Sequence, residues 1–262
     1  MNLTASTIVL RPRSVAEMLD LTCRLTFSES IGIYLRLASF TLLPLYVAML
    51  ALKYVAGLEW ITIWLIALPL AVWIEGPFTI AASRILFGEE PSAGAVMRLF
   101  AKRLFSYTGA MLIKALYLAL GIAMCGIGLF ITWPNGVLVP EASLLEGANA
   151  SEAWPRSKRL VTQRASDSVP ALFALMTAQL GFVIGFELLG QSLLDDIFQL
   201  GHPLGEILSD GGTPFALLGL FLAAPFAATA RFLHYIDTRT RADGWDIQVK
   251  FMALLAKHEN AS

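Results

Sequence analysis

Charge is what this sequence has least of: Asp, Glu, Lys and Arg supply only 15% of its 262 residues. Soluble domains carry about 25%, so most of this surface has to meet something other than water. The same shortage excludes a disordered chain, which combines high charge with few apolar residues. Cysteine is nearly absent, with 2 in the whole chain, and a disulfide-stapled secreted domain is excluded with it. There is no excess of positive charge either, and a net charge of −1 gives a nucleic-acid backbone little to hold. What abounds is apolar side chains, 56% of the total, with a mean hydropathy of +0.66. The solvent for such a surface is lipid, and the expected fold class is an all-α polytopic membrane bundle.

A helix needs about 20 apolar residues to cross about 30 Å of hydrocarbon. Four stretches meet this at once, 31–52, 57–82, 169–190 and 214–236, and a fifth, 104–145, is long enough for one helix and a loop or for two spans. Positive charge decides between these, because Lys and Arg collect at cytoplasmic ends. Arg98, Lys102 and Arg103 precede the long stretch, and Arg156, Lys158, Arg159 and Arg164 follow it. If both clusters are cytoplasmic, an even number of crossings separates them. The stretch then holds two spans, 104–124 and 126–145, turned at Cys125-Gly126-Ile127-Gly128. Pro134, Asn135, Gly136 and Pro140 should kink or partly unwind the second of these. The expectation is six transmembrane helices in three hairpins, as one domain over 1–262, with both termini cytoplasmic. All of the 19 Lys and Arg except Lys53 and Lys114 then lie on the cytoplasmic side. A five-span chain with 126–145 as a loop is the alternative.

Three segments that precede spans read as amphipathic cytoplasmic helices lying in the interface: 14–29, 92–104 and 151–161. The first opens with Ser14 and Glu17 at capping-box spacing. The chain therefore divides into three units of interfacial helix plus hairpin, 11–88, 91–147 and 150–238, followed by a cytoplasmic amphipathic tail, 238–262. The loop 191–212 carries Asp195, Asp196, Glu206 and Asp210 and no Lys or Arg, so it is placed outside. Its apolar residues over 192–208 recur at helical spacing, which suits an interfacial helix pair or a docking surface interrupted by Pro203. Residues 1–10 lack the charged start and apolar core of a signal peptide, so insertion is expected through the first span.

Ionisable groups inside a bilayer are expensive and are the first candidates for function. Counted from the inner edge, Glu75 lies about 13 Å and Lys114 about 16 Å deep. An ion pair between them would either hold the bundle together or form a proton or substrate site beside Gly76-Pro77. Glu141, in the broken fourth span, either lines a cavity or is hydrated from the cytoplasm. Glu187 and Arg36 sit near opposite surfaces, where their side chains can snorkel. His202, His234 and His258 are scattered, Cys23 and Cys125 have no partner ligands nearby, and no metal site or cofactor is expected. No GxSxG, Walker A or Rossmann glycine pattern occurs. An enzyme is therefore not expected.

Two segments carry more than generic hydrophobicity. The stretch LLEGANASEAWPRSKRL at 144–160 and the stretch ARFLHYIDTRTRADGWDI at 230–247, with the opening RPRSVAEMLD at 11–20, resemble the bacterial six-span family related to the membrane domain of glycerophosphoryl diester phosphodiesterases. The resemblance covers the ends and middle of the chain and implies the bacterial inner membrane. It carries over no phosphodiesterase activity, since no catalytic barrel is present. Similar proteins are often encoded beside other membrane proteins and ATPases, which implies work in a complex.

Physically, Arg156, Lys158, Arg159, Arg231, Asp237, Arg239, Arg241 and Asp246 are expected to form a cytoplasmic collar, anchored by Trp245 at the headgroups. The functional expectation is a scaffold or complex subunit whose collar contacts anionic lipid and a protein partner or a second copy. The alternative is a small-molecule or lipid transporter using Glu75 and Lys114.

Overall fold

In the computed structural model, residues 14–163, 165–201 and 203–243 are described, the side chains of 165–167 and 241–243 apart. Among these residues every regular element is helical. Helix α1 spans Val15–Arg24 and starts on the expected capping box: the Ser14 hydroxyl accepts from the Glu17 amide at 3.2 Å, and the Ser14 amide donates to the Glu17 carboxylate at 3.4 Å. One π-helical turn, Leu25–Glu29, leads into α2, Ile31–Tyr54, and α3 follows at Trp60–Leu86. Helix α4, Ala93–Ala123, is capped by Ser92 and runs unbroken through the expected interfacial segment into the expected span. Two short helices come next, α5 at Leu129–Asn135 and α6 at Val139–Leu144, and then α7 at Ala150–Gln163. Helix α8 is Ala165–Ser192, α9 is Ile207–Asp210 and α10 is Pro214–Asp243.

Five helices, α2, α3, α4, α8 and α10, are long and apolar enough to cross a membrane. Large apolar side chains stand exposed along four of them, such as Phe40, Leu65, Leu116 and Ile184. Such outward oil has no use in water and suits acyl chains. Helix α10 is the centre: 78% of its most apolar window is buried, against 17 to 39% in the other four. It packs on α8 and α3, with α2 and α1 also against it. Small residues make this possible, with Ala223, Ala224, Ala227, Ala228 and Ala230 all buried along α10.

The segment expected as the fourth span is not one helix. Pro134, Gly136 and Pro140 divide it, and α5 and α6 are only about 10 Å and about 9 Å long. The chain nevertheless runs back along α4. A Cβ on Gly128 would lie 2.8 Å from Gly121 Cα, and further on the Arg103 guanidinium donates to the Leu144 carbonyl at 2.7 Å. Those two α4 positions are about 27 Å apart along its axis. The break between α5 and α6 is closed by α7. Ser157 donates to the Asn135 carbonyl at 2.6 Å and accepts from the Leu138 amide at 3.1 Å, so the freed backbone is not left unpaired. The turn before α5 places Cys125 and Gly126 at φ 55° and 79°.

The loop 191–212, expected outside, also departs from expectation. Instead of an interfacial helix pair over 192–208, it holds a π-helical turn, Leu193–Ile197, and the four-residue α9. Glu187 does not snorkel. It is buried and accepts from Thr213, whose hydroxyl also caps α10 by accepting from the Ala216 amide at 3.1 Å.

Candidate functional site

The site begins with a proline. Pro77 cannot donate to the carbonyl four residues before it, so α3 leaves the Trp73 carbonyl free, and the Tyr107 hydroxyl of α4 donates to it at 3.0 Å. Gly76 admits the neighbouring aromatic rings, for a Cβ there would lie 2.5 Å from Phe100. The adjacent residue, Glu75, is thereby aimed into the bundle between α3, α4 and α10.

There it meets Arg231, which donates from Nη1 to Glu75 and from Nε to Glu141 at 3.1 Å. One guanidinium thus joins carboxylates from α3 and α6, a use of its planar fork that Lys could not reproduce. Lys114 completes the group electrostatically, acting on Glu75, Glu141 and Arg231. Exposure falls to 0% at Glu141, 1% at Glu75, 5% at Arg231 and 9% at Lys114. With all four ionised the cluster is neutral, which limits the cost of burying it. The expected Glu75–Lys114 pair is replaced by Glu75–Arg231, and Lys114 makes no ion pair among the described residues. Two atoms in the cluster remain without hydrogen bonds, Glu141 Oε2 and Arg231 Nη2.

Lys114 also lines a lateral groove of about 720 Å³. The walls come from Leu68–Trp73 on α3, Thr108–Ile122 on α4 and Trp133 on α5, and apart from Lys114 and Thr108 they are almost wholly apolar. Leu68, Leu112 and Ile122 along its rim are exposed, so the groove opens onto the apolar outer surface.

The expected collar is regrouped. Arg231 leaves it for the interior, while Arg156 and Arg239 bind one carboxylate, Glu146, at 2.6 and 2.9 Å, and Tyr235 donates to the same group at 2.7 Å. Lys158 and Arg159 are exposed and Asp237 is half-buried. The Arg241 side chain, Trp245 and Asp246 lie outside the described residues. Beside Glu146 a cleft of about 520 Å³ is lined by Ser151, Glu152, Arg156 and Arg159 among others.

Glu146 was missed as a site residue in the sequence, although it stands in the E-G pair of the 144–160 stretch. Burial opposes its ionisation, but hydrogen bonds from Tyr235 and Arg156 and the charges of Arg239 and Arg156 outweigh this and hold its carboxyl below the ordinary range. The stability it contributes is therefore present above about pH 4.3. It is lost as pH falls through the lower folded-state value. Glu146→Gln is expected to lower the melting temperature at neutral pH and to flatten its fall on acidification, measured by thermal melts in detergent. An acid dependence equal to that of the wild type would contradict this.

No group of three or more His, Cys, Asp and Glu suited to a metal occurs among the described residues. The fold and site define an all-helical chain of membrane-spanning composition, with a buried charge cluster beside an apolar groove. No family model matches the chain, and neither does any curated protein or solved structure.

Proposed function

We propose that this chain is a non-enzymatic multi-pass membrane protein that takes an anionic amphiphile from the bilayer, as a lipid-binding or lipid-transporting protein. The observation that carries the reading is Lys114, a cation with no ion-pair partner among the described residues, in the wall of a groove of about 720 Å³ that opens sideways. That volume lies within the range of about 300 to 1,000 Å³ typical of small-molecule sites. An apolar tail suits its walls, and a negative head suits its one cation.

Placement in a bacterial inner membrane with both termini cytoplasmic is part of the proposal. Termini on one and the same side are supported by the return of α5 and α6 along α4, which makes an even number of passages with the five long helices, and the bacterial inner membrane only by the resemblance of 144–160 and 230–247. Arg98, Lys102, Lys158 and Arg159, all exposed at the N-terminal ends of α4 and along α7, then face the cytoplasm. These four residues favour a second reading, a scaffold that holds anionic headgroups or a protein partner at its cytoplasmic end.

Native mass spectrometry of the protein extracted from its own membranes separates the two. The expected result is one acyl-chain amphiphile bound per chain in the wild type and lost in Leu112→Trp, which fills the groove. A chain that carries no amphiphile but a stoichiometric protein partner would replace the first reading with the second.

A further inference from the structure

Lys114 lies eleven residues beyond Arg103 on α4, about 16 Å deeper along the helix. A phospholipid in its ordinary pose keeps its head at the bilayer surface and cannot meet this cation. Whatever does so has to carry its acidic group through hydrocarbon, where a fixed charge is costly. A phosphodiester stays ionised throughout. A carboxylic acid does not, because it can travel as the neutral acid.

Charge within the site makes a second demand. Glu75, Glu141, Arg231 and Lys114 sum to zero when ionised, so a carboxylate arriving alone would leave a net negative charge in a buried cluster. If the acid brings its proton, the sum stays at zero, provided a base in the cluster accepts it. Arg231 already binds one oxygen of each carboxylate, Oε2 of Glu75 and Oε1 of Glu141. Glu141 Oε2 is wholly buried and accepts no hydrogen bond among the described residues. We infer that the groove is a site for one long-chain carboxylic acid bound together with one proton, with the carboxylate on Lys114 and the proton on Glu141.

The step balances. The acid's O–H bond breaks as an O–H bond forms at Glu141 Oε2, and the carboxylate so formed pairs with the Lys114 ammonium. Among the described residues, the charged and titratable groups acting on Glu141 include Glu75 from α3, Tyr107 and Lys114 from α4 and Arg231 from α10, and Arg103 of α4 also reaches α6, at the Leu144 carbonyl. Helix α7 also packs on α6, but its Arg156 is committed to Glu146. This inference rests on the amphiphile-binding reading and specifies its occupant.

The test uses the full chain in nanodiscs, with dodecanoate, dodecanol and a phosphatidylcholine as probes and empty nanodiscs subtracted. Dodecanoate is ionised in water near neutral pH, so binding should take up about one proton per ligand from weakly buffered solution. Affinity should fall about tenfold for each unit rise in pH. Lys114→Met should weaken dodecanoate on the order of tenfold or more while leaving dodecanol unchanged. Glu141→Gln already carries the neutral group, so it should bind dodecanoate with no uptake and no slope; if it does not fold, the wild-type slope decides alone. Dodecanoate binding no tighter than dodecanol, or without proton uptake, overturns the inference and leaves the amphiphile-binding reading standing. Binding of none of the probes overturns both.

Discussion

Replacing Arg231 by Met is expected to cost about 3 to 5 kcal/mol of stability, because it leaves Glu75 and Glu141 buried without the guanidinium that hydrogen-bonds them and with one negative charge more than Lys114 can balance. Both carboxylates are fully buried, and Arg231 is the only group that hydrogen-bonds them from another helix among the described residues. The size of the effect belongs to the stranded charges and not to any net worth of the cluster. Hence the quadruple variant Glu75→Gln, Glu141→Gln, Arg231→Met, Lys114→Met should recover most of the loss, since a set with no ionised member removes the charge that had to be buried. Arg231→Lys should fall between, with the charge kept and the two-armed geometry lost. Reversible unfolding in mixed micelles reads all three. A single Met variant within about 1 kcal/mol of wild type would mean that water reaches the cluster and that it is not a sealed site.

That cluster also marks where the sequence stopped being legible. The long helices follow from composition: four apolar stretches coincide with α2, α3, α8 and α10 to within four residues at every end but the last, where α10 runs to Asp243, and the Ser14 box starts α1 as its spacing requires. Depth counting brought Glu75 and Lys114 to one level, and they do act on each other. Arg231 reads in the sequence as a cytoplasmic charge beside Arg239 and Arg241, because it lies five residues from the expected end of the span at 236. The helix runs on to Asp243, past buried Phe232, Tyr235 and Ile236, and that continuation puts Arg231 inside.

A charge count would have found it. Glu75, Glu141 and Lys114 sum to −1, and an apolar interior calls for one more cation. The division of 126–145 was legible in Pro134, Gly136 and Pro140. Its repair by Ser157 was not, since a residue nineteen positions away on another helix closes the break. The groove was equally hidden, because its walls come from α3, α4 and α5, which only the folded chain brings side by side.

The contact of α8 with α10 should be the least tolerant of added volume. A Cβ on Gly219 would lie 2.6 Å from the Phe182 carbonyl oxygen and 2.9 Å from Val183 Cα. Those atoms are backbone, so no rotamer change relieves the overlap and the two helices have to part. In a bilayer this contact has no hydrophobic drive of its own, because acyl chains are as apolar as Leu, and close approach of small residues is what holds it. Gly219→Leu is therefore expected to destabilise by about 3 kcal/mol, at the upper end of ordinary overpacking, although Leu is the better helix former. Gly185, also on α8, supplies the control: a Cβ there meets nothing within 4 Å, so Gly185→Leu should leave stability unchanged or slightly raised. Because α10 also carries Arg231, parting it from α8 should loosen the charge cluster, and the Gly219 variant should lose dodecanoate binding along with stability. Equal melting temperatures for the two Leu variants would show that α8 and α10 do not pack at this distance in the membrane.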